Sequence, residues 1–292
     1  LAKFDVEQHD KVFKNTLDEI QDGVYDNAKA LENKVAELVS QGLPVERLRP
    51  EIDAAFGEAA IEVKSSANSL TELSKDVIDQ SSAAAEPADF TTESVLLESS
   101  QDELSATVSG MSEDIIKTAV LGTVAGLATA VIVEQVRGRI SGVQMESNDP
   151  TVRKLQRQLR SEINKNGRHG KVYTSLVGKI KDRLPGSVNT AANLATKLNT
   201  NADSIVGSYN GTFIKSRAQR QNIERFEYSG GLMATSRPFC RSMLGMQLTE
   251  EEIFNIWDGE SWAGKEPGDP FVVRGGYNCQ HYFVPVEDDE EV

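Results

Sequence analysis

Apolar residues recur at spacings of mostly three and four through the opening of the chain: Val12, Phe13, Leu17, Ile20, Val24, Ala28, Leu31, Val35 and Leu38. A strand places every second residue on one face, so this period predicts a single amphipathic helix over residues 8–43. Gly23 weakens its middle, and Gly42 with Pro44 stops it. A second helix is expected over residues 45–78. Aromatic residues make up only 6 % of the 292, and six of ten phenylalanines and both tryptophans lie beyond residue 210. The first two-thirds is therefore expected to be extended helix, with the dense core in the last third.

The stretch DQSSAAAEPADFTTESVLLESSQDELSATVSG is rich in Ser, Thr, Ala and acids. It reads as a hinge or loosely packed crossing, with a boundary over residues 81–112. Ser112 is the expected N-cap of the next helix. Residues 118–133 are sixteen consecutive uncharged residues, and Gly122 and Gly126 form a G-x-x-x-G within them. That spacing lets helices approach closely in lipid, but the run falls short of the roughly 20 residues that cross a bilayer. A buried helix packed on all sides is the first reading. A segment that enters a membrane at some stage is the second.

The net charge of −14 argues against a surface that coats naked DNA throughout. The charge is unevenly spread, however. Residues 135–185 carry twelve Lys or Arg against four Asp or Glu, and residues 224–292 carry fourteen acids against five bases. In TVRKLQRQLRSEI, Val152, Leu155, Leu159 and Ile163 share one helical face, with Arg153, Lys154, Arg157 and Arg160 around it. This basic belt, residues 137–183, reads as a solvated helix face able to meet phosphates or an acidic partner. No aromatic interleaving or base-reading motif accompanies it. His169 and His9 read as surface histidines. Ala191, Ala192, Ala195 and Ala202 provide small faces for close helix packing.

Beyond residue 208 the character changes. ERFEYSGG alternates like a strand running into a turn. LTEEEIFNIWDG reads as a short helix with Thr249 as N-cap, Glu252 closing a capping box, and Ile253, Phe254 and Trp257 on its buried side. FVVRGG and HYFVPV read as strand pieces around a glycine turn. Together these make a small α+β module.

The module holds the only two cysteines, Cys240 and Cys279, and one of three histidines, His281. Two cysteines do not make a secreted disulfide framework, and the opening residues do not read as a signal peptide. The chain opens on Leu1, as a processed chain or a fragment does. Cysteine catalysis needs a base in reach and an oxyanion donor, and no third group marks this pair. A zinc site would draw on Cys240, Cys279 and His281, with Asp258 or Asp269 completing four ligands, but the usual close cysteine pairing is missing. A Cys240–Cys279 disulfide is a further alternative. The plainest reading is two small buried side chains lying close together beside a glycine-rich corner. Walker, dinucleotide-fingerprint, HExxH and EF-hand patterns are not found. No catalytic, cofactor-binding or metal residue is assigned, and no cofactor is expected.

An Arg-and-Phe strand, then SGGLMATSRPFCR, then a short acidic helix, then RGGYNCQHYFVPV, resembles the C-terminal module of phage head morphogenesis proteins. These are minor capsid proteins of the Mu F-like or SPP1 gp7-like kind, found in tailed bacteriophages. The matching positions are Thr235, Ser236, Arg237 and Cys240, then Gly276, Cys279, Gln280 and His281. Gln280 stands where Arg is more usual. The resemblance covers about residues 205–286. It implies a non-enzymatic structural component of the virion, acting in head assembly or maturation near the portal. The implied partners are portal or major capsid proteins, in an oligomer within the phage head, with non-specific contact to packaged DNA. The alternative is an internal protein ejected with DNA that touches the host membrane.

The expected fold class is mainly α: extended helical N-terminal and central regions, followed by a small C-terminal α+β module. The expected division is an N-terminal helical region at 1–80, a linker at 81–112, a central helical region at 113–208, and the module with its acidic tail at 209–292.

Overall fold

A computed structural model describes residues 4–80, 87–141, 150–152, 154–155, 158–159, 162, 171–183, 194–232, 236–262, 265, 267–276, 279 and 281–286. The described helices are α1 (Val6–Ser40), α2 (Val45–Ser66), α3 (Leu70–Gln80), α4 (Pro87–Val124), α5 (Thr129–Ser141), α6 (Lys171–Arg183) and α7 (Leu194–Arg220). The C-terminal elements follow: β1 (Arg225–Ser229), α8 (Pro238–Met243), β2 (Gln247–Thr249), α9 (Glu250–Gly259), α10 (Pro270–Val273) and β3 (Tyr282–Val286). The fold is mainly α with a small three-stranded antiparallel sheet near the C-terminus.

Two compact units are present, and they interleave along the chain. One comprises Leu1–Ile20, Ala67–Gln101 and Thr200–Val292; the other comprises Gln21–Ser66 and Asp102–Asn199. This differs from the consecutive division expected from sequence. Helices α1, α4 and α7 each contribute to both units. The linker expected at 81–112 is helical from Pro87, because the proline fits a first helical turn and no further breaker follows it. Ser112 consequently lies inside α4, where its hydroxyl donates to Ser109 O at 2.9 Å instead of capping a helix.

In the unit of Gln21–Ser66 and Asp102–Asn199, the three-and-four pattern of α1 is buried as its spacing predicts: Val24, Ala28, Leu31, Val35 and Leu38 all face inward. Gly23 has a packing reason. A Cβ there would stand 2.6 Å from Ser66 Oγ, so the end of α2 passes against it. The helix expected at 45–78 is instead α2 and α3, separated by a 3-10 turn at Ala67–Ser69.

The uncharged run 118–133 does not form one helix. α4 ends at Val124, with Leu127 N donating to Gly122 O and Gly126 N to Thr123 O, each at 3.0 Å. Those paired bonds, with Gly126 at φ 66°, close the helix by a Schellman turn. A Cβ at Gly122 would lie 2.9 Å from Ile132 Cγ1, so this glycine lets α5 fold back on α4. The G-x-x-x-G therefore builds a helical hairpin. The expectation of a helix packed on all sides also fails: Leu121, Val124, Leu127 and Val131 are exposed around the turn. Among the described residues no helix is long and apolar enough to cross a membrane. The apolar face of the basic belt does form a core, with Val152, Leu159, Leu176 and Ile180 buried and Leu155 packed against them. Ile163, Arg153, Arg157, Arg160 and His169 lie outside the described residues.

In the other unit, the sheet order is β2-β1-β3. Phe226 in β1 pairs with Leu248 and Pro285, and Tyr228 pairs with Phe283. Alternation sends Phe226 and Tyr228 into a core with Phe239, Met243, Ile253, Trp257, Phe271 and Phe283. The capping box of α9 is formed as expected, with Glu252 N donating to Thr249 Oγ1 at 3.2 Å and Thr249 N to Glu252 Oε2 at 2.9 Å. FVV at 271–273 is a helical turn and not a strand: Asp269 Oδ1 accepts from Phe271 N at 2.9 Å and Pro270 opens the turn.

His9 is fully buried, which corrects the surface reading. Its Nδ1 donates to Asp76 Oδ2 at 2.5 Å, and its Nε2 lies 3.1 Å from Asn210 Oδ1. Burial opposes ionisation of Asp76, but hydrogen bonds from His9, Gln8 and Gln80 outweigh it and hold the carboxyl below its ordinary range.

Candidate functional site

The chemistry-bearing side chains of the C-terminal elements meet at one point. Cys240 sits in α8, begun by Pro238 at its first position with the backbone of Arg237 extended before it. Cys279 is brought in by a tight turn: Gly276 takes φ 89°, and Cys279 N donates to Gly276 O at 3.0 Å. A side chain at that φ would be strained, hence the glycine of the G-x-x-C element. Two residues on, His281 leads into β3.

The two sulfurs lie 3.8 Å apart as free thiols, in agreement with the expected contact. His281 Nδ1 is 3.6 Å from Cys279 Sγ. Tyr228 Oη, reaching in from β1, is 3.6 Å from Cys240 Sγ and 3.5 Å from Cys279 Sγ. The Tyr228 and His281 rings stack at 5.4 Å with only 5° between their planes. Cys240, Cys279 and His281 are each at most 3 % exposed. Their sulfur and nitrogen donors all fall within 4.8 Å of one another.

The wall of this cluster is glycine. A Cβ on Gly275 would stand 2.5 Å from Cys240 Sγ and 2.8 Å from Cys279 Sγ, so only glycine leaves that flank clear. Trp262 Nε1 donates to Gly275 O at 3.0 Å and holds the turn from outside. Trp262 itself stacks on Phe239 at 4.3 Å, next to Cys240 in sequence. The buried Arg274 donates through Nη1 to Cys279 O. Its φ is 53°, uncommon for a residue with a side chain, and its guanidinium covers the Gly207 position of α7.

Electrostatics within the cluster are uneven. Cys279 ionises first: Cys240 donates to it, and burial is outweighed once His281, Arg274 and Tyr228 add their support. The same Cys240–Cys279 hydrogen bond, together with burial, pushes the Cys240 thiol up. Burial raises the Tyr228 phenol well above its usual value, and the neighbouring sulfurs add to this.

The aspartates considered as further zinc ligands are elsewhere. Asp269 Oδ2 pairs with Lys215 Nζ at 2.6 Å while its other oxygen caps α10, and Asp258 is exposed on α9. Thr235, Tyr277, Gln280 and the acidic tail from Glu287 lie outside the described residues. The sequence reading missed Tyr228, Arg274 and Gly275 as members of this site. It also missed Gly207 and Gly211, whose G-x-x-x-G spacing was the available signal. A Cβ at Gly211 would stand 1.9 Å from Phe271 O, so α10 and the turn after it lie directly on α7.

No family model matches the chain, and neither the curated proteins nor the solved structures contain a significant match to it.

Proposed function

We propose that this chain is a structural, non-enzymatic minor capsid protein of a tailed bacteriophage, acting in head assembly or maturation near the portal. One observation carries the reading. The S-R-x-x-C element and the G-x-x-C-x-H element, whose cysteines are 39 positions apart, converge on one buried cluster within an α+β core. The motif that carries the family resemblance is thus a coherent piece of structure. Burial of Cys240, Cys279 and His281 supports a role without substrate access.

In this reading the partners are portal or major capsid proteins, and the chain is oligomeric within the phage head. Exposed Lys154, Lys171, Lys179 and Arg183 supply non-specific contact with packaged DNA. Fractionation of purified particles tests it. Presence in mature heads or assembly intermediates at a fixed copy number is expected, and absence from both rejects the proposal.

A second reading rests on the α4–α5 turn, where Val124 is 70 % exposed and Leu121, Leu127 and Val131 are exposed with it. In that reading the protein is ejected with DNA and the turn inserts its apolar tip into the host membrane interface. Purified protein then makes liposomes leak, and charged substitutions at Val124 or Leu127 abolish the leakage without unfolding the chain. A folded chain that never causes leakage removes this reading.

A further inference from the structure

We propose that Cys240, Cys279 and His281 form a structural zinc site, with Tyr228 Oη facing the fourth corner. The inference stands on donor geometry and does not depend on the virion reading. In a tetrahedral site with Zn–S of about 2.3 Å, two thiolate sulfurs are separated by about 3.8 Å. The sulfurs of Cys240 and Cys279 are 3.8 Å apart. For one thiolate and one imidazole at about 2.0–2.1 Å from the ion, the corresponding edge is about 3.6 Å. Cys279 Sγ and His281 Nδ1 are separated by 3.6 Å.

These distances suit hydrogen-bonded free thiols as well as a shared ion, and they exclude a disulfide. A disulfide brings sulfurs to about 2.05 Å. Hydrophobic packing of two thiols places no demand on an imidazole nitrogen. His281 here directs Nδ1 at a sulfur, while its Nε2 is buried with no hydrogen-bond partner. A third donor type stands at the same place, since Tyr228 Oη lies 3.5–3.6 Å from both sulfurs.

The donor set selects the ion. Two thiolates and an imidazole suit a borderline-soft dication of tetrahedral preference and exclude magnesium or calcium, which take oxygen. Zinc entry displaces the two thiol protons to solvent, leaving the ion and its two thiolates electrically neutral together. The neutral product suits a site whose protein ligands are all buried. Gly275 keeps the flank of the sulfurs clear, and Arg274 and Trp262 pin the backbone of the turn that carries Cys279. The ion would join α8 to the turn before β3, two segments that touch across thirty-nine positions of sequence.

The test uses the full chain, reduced and stripped with a chelator, then titrated with Zn2+ and separately with Co2+. One equivalent of Zn2+ is expected to bind, competing with a chromophoric chelator. Bound Co2+ is expected to give the intense visible bands of tetrahedral coordination and a thiolate-to-metal charge-transfer band. Cys240→Ser and Cys279→Ser are each expected to weaken Zn2+ binding by about 100-fold or more, and to remove about half of the charge-transfer intensity per bound Co2+. His281→Asn is expected to change the visible bands while keeping the charge-transfer band. The Co2+ spectrum of the unmutated chain needs no variant to fold. A reduced, folded chain that binds neither ion overturns the proposal, as does a Co2+ spectrum lacking the thiolate band. Unchanged Zn2+ affinity in folded Cys240→Ser overturns it equally.

Discussion

Tyr282 in the last strand donates its hydroxyl to Asp10 in the first helix, and its ring stacks on Phe13 one turn further along at 5.1 Å. The C-terminal sheet is therefore completed by the opening of the chain. An isolated fragment of residues 205–292 lacks this cover and loses the His9–Tyr282 edge contact as well. It is expected to show poorly dispersed amide resonances, and adding a peptide of residues 4–20 is expected to restore dispersion. Within the full chain, Phe13→Ala is expected to cost about 3–4 kcal/mol in urea denaturation.

Gly211→Ala places a methyl group on the backbone carbonyl of Phe271. A backbone atom cannot swing aside as a side chain can, so α10 must move off α7. A loss of about 1–3 kcal/mol is expected. Gly57→Ala provides the control, since a Cβ there meets nothing within 4 Å and the helix is kept. That substitution is expected to be neutral or stabilising by up to about 1 kcal/mol. Equal denaturation midpoints for the two variants would refute the packing argument.

Asp203 gives a pH prediction. Burial raises its carboxyl to about 6, against the opposing attraction of Arg274. The folded state thus holds this proton more tightly than the unfolded state does. Stability from this group is present at acid pH and is lost as pH rises from about 4 to about 6. Asp203→Asn removes the ionisation. The variant is expected to match the parent near pH 4 and exceed it by about 2–3 kcal/mol near pH 7. Urea midpoints at the two pH values decide it, and a constant difference between the proteins would contradict the assignment.

The capping box of α9 offers a smaller effect. Thr249→Ala leaves Glu252 N without its side-chain acceptor, and a loss of about 1 kcal/mol is expected. Thr249→Ser keeps the acceptor and is expected to restore most of it. Thermal melts of the three proteins suffice.

Local patterns were legible in the sequence and distant pairings were not. The period of α1 is set by residues three and four apart, and its buried face follows it from Phe13 to Leu38. The capping box is complete within four residues. Cys240 and Cys279 were expected to meet because each adjoins an aromatic element and a turn. His9 was misread because Asp76 and Asn210 approach it from 67 and 201 positions away. Nothing local separates a buried histidine with partners from a solvated one. The run around Gly122 and Gly126 was ambiguous for another reason. The same two glycines suit close helix crossing and a Schellman stop, and the more distant Ile132 decides between them by packing on Gly122. Phe271–Val273 has strand-like composition, yet Asp269 and Pro270 begin a helical turn there. The interleaved units could not be read from composition, since three of their four joins fall inside helices α1, α4 and α7.

That interleaving bears on the order in which the chain can mature during translation. The unit of Gln21–Ser66 and Asp102–Asn199 has all its residues once Asn199 has emerged from the ribosome. The other unit, although it includes Leu1–Ile20, waits for β3. At an elongation rate of about 5–20 residues per second, the remaining ninety or so residues take roughly 5–20 seconds. Throughout that interval Phe13 is without Tyr282, and the opening half of α1 keeps part of its apolar face uncovered.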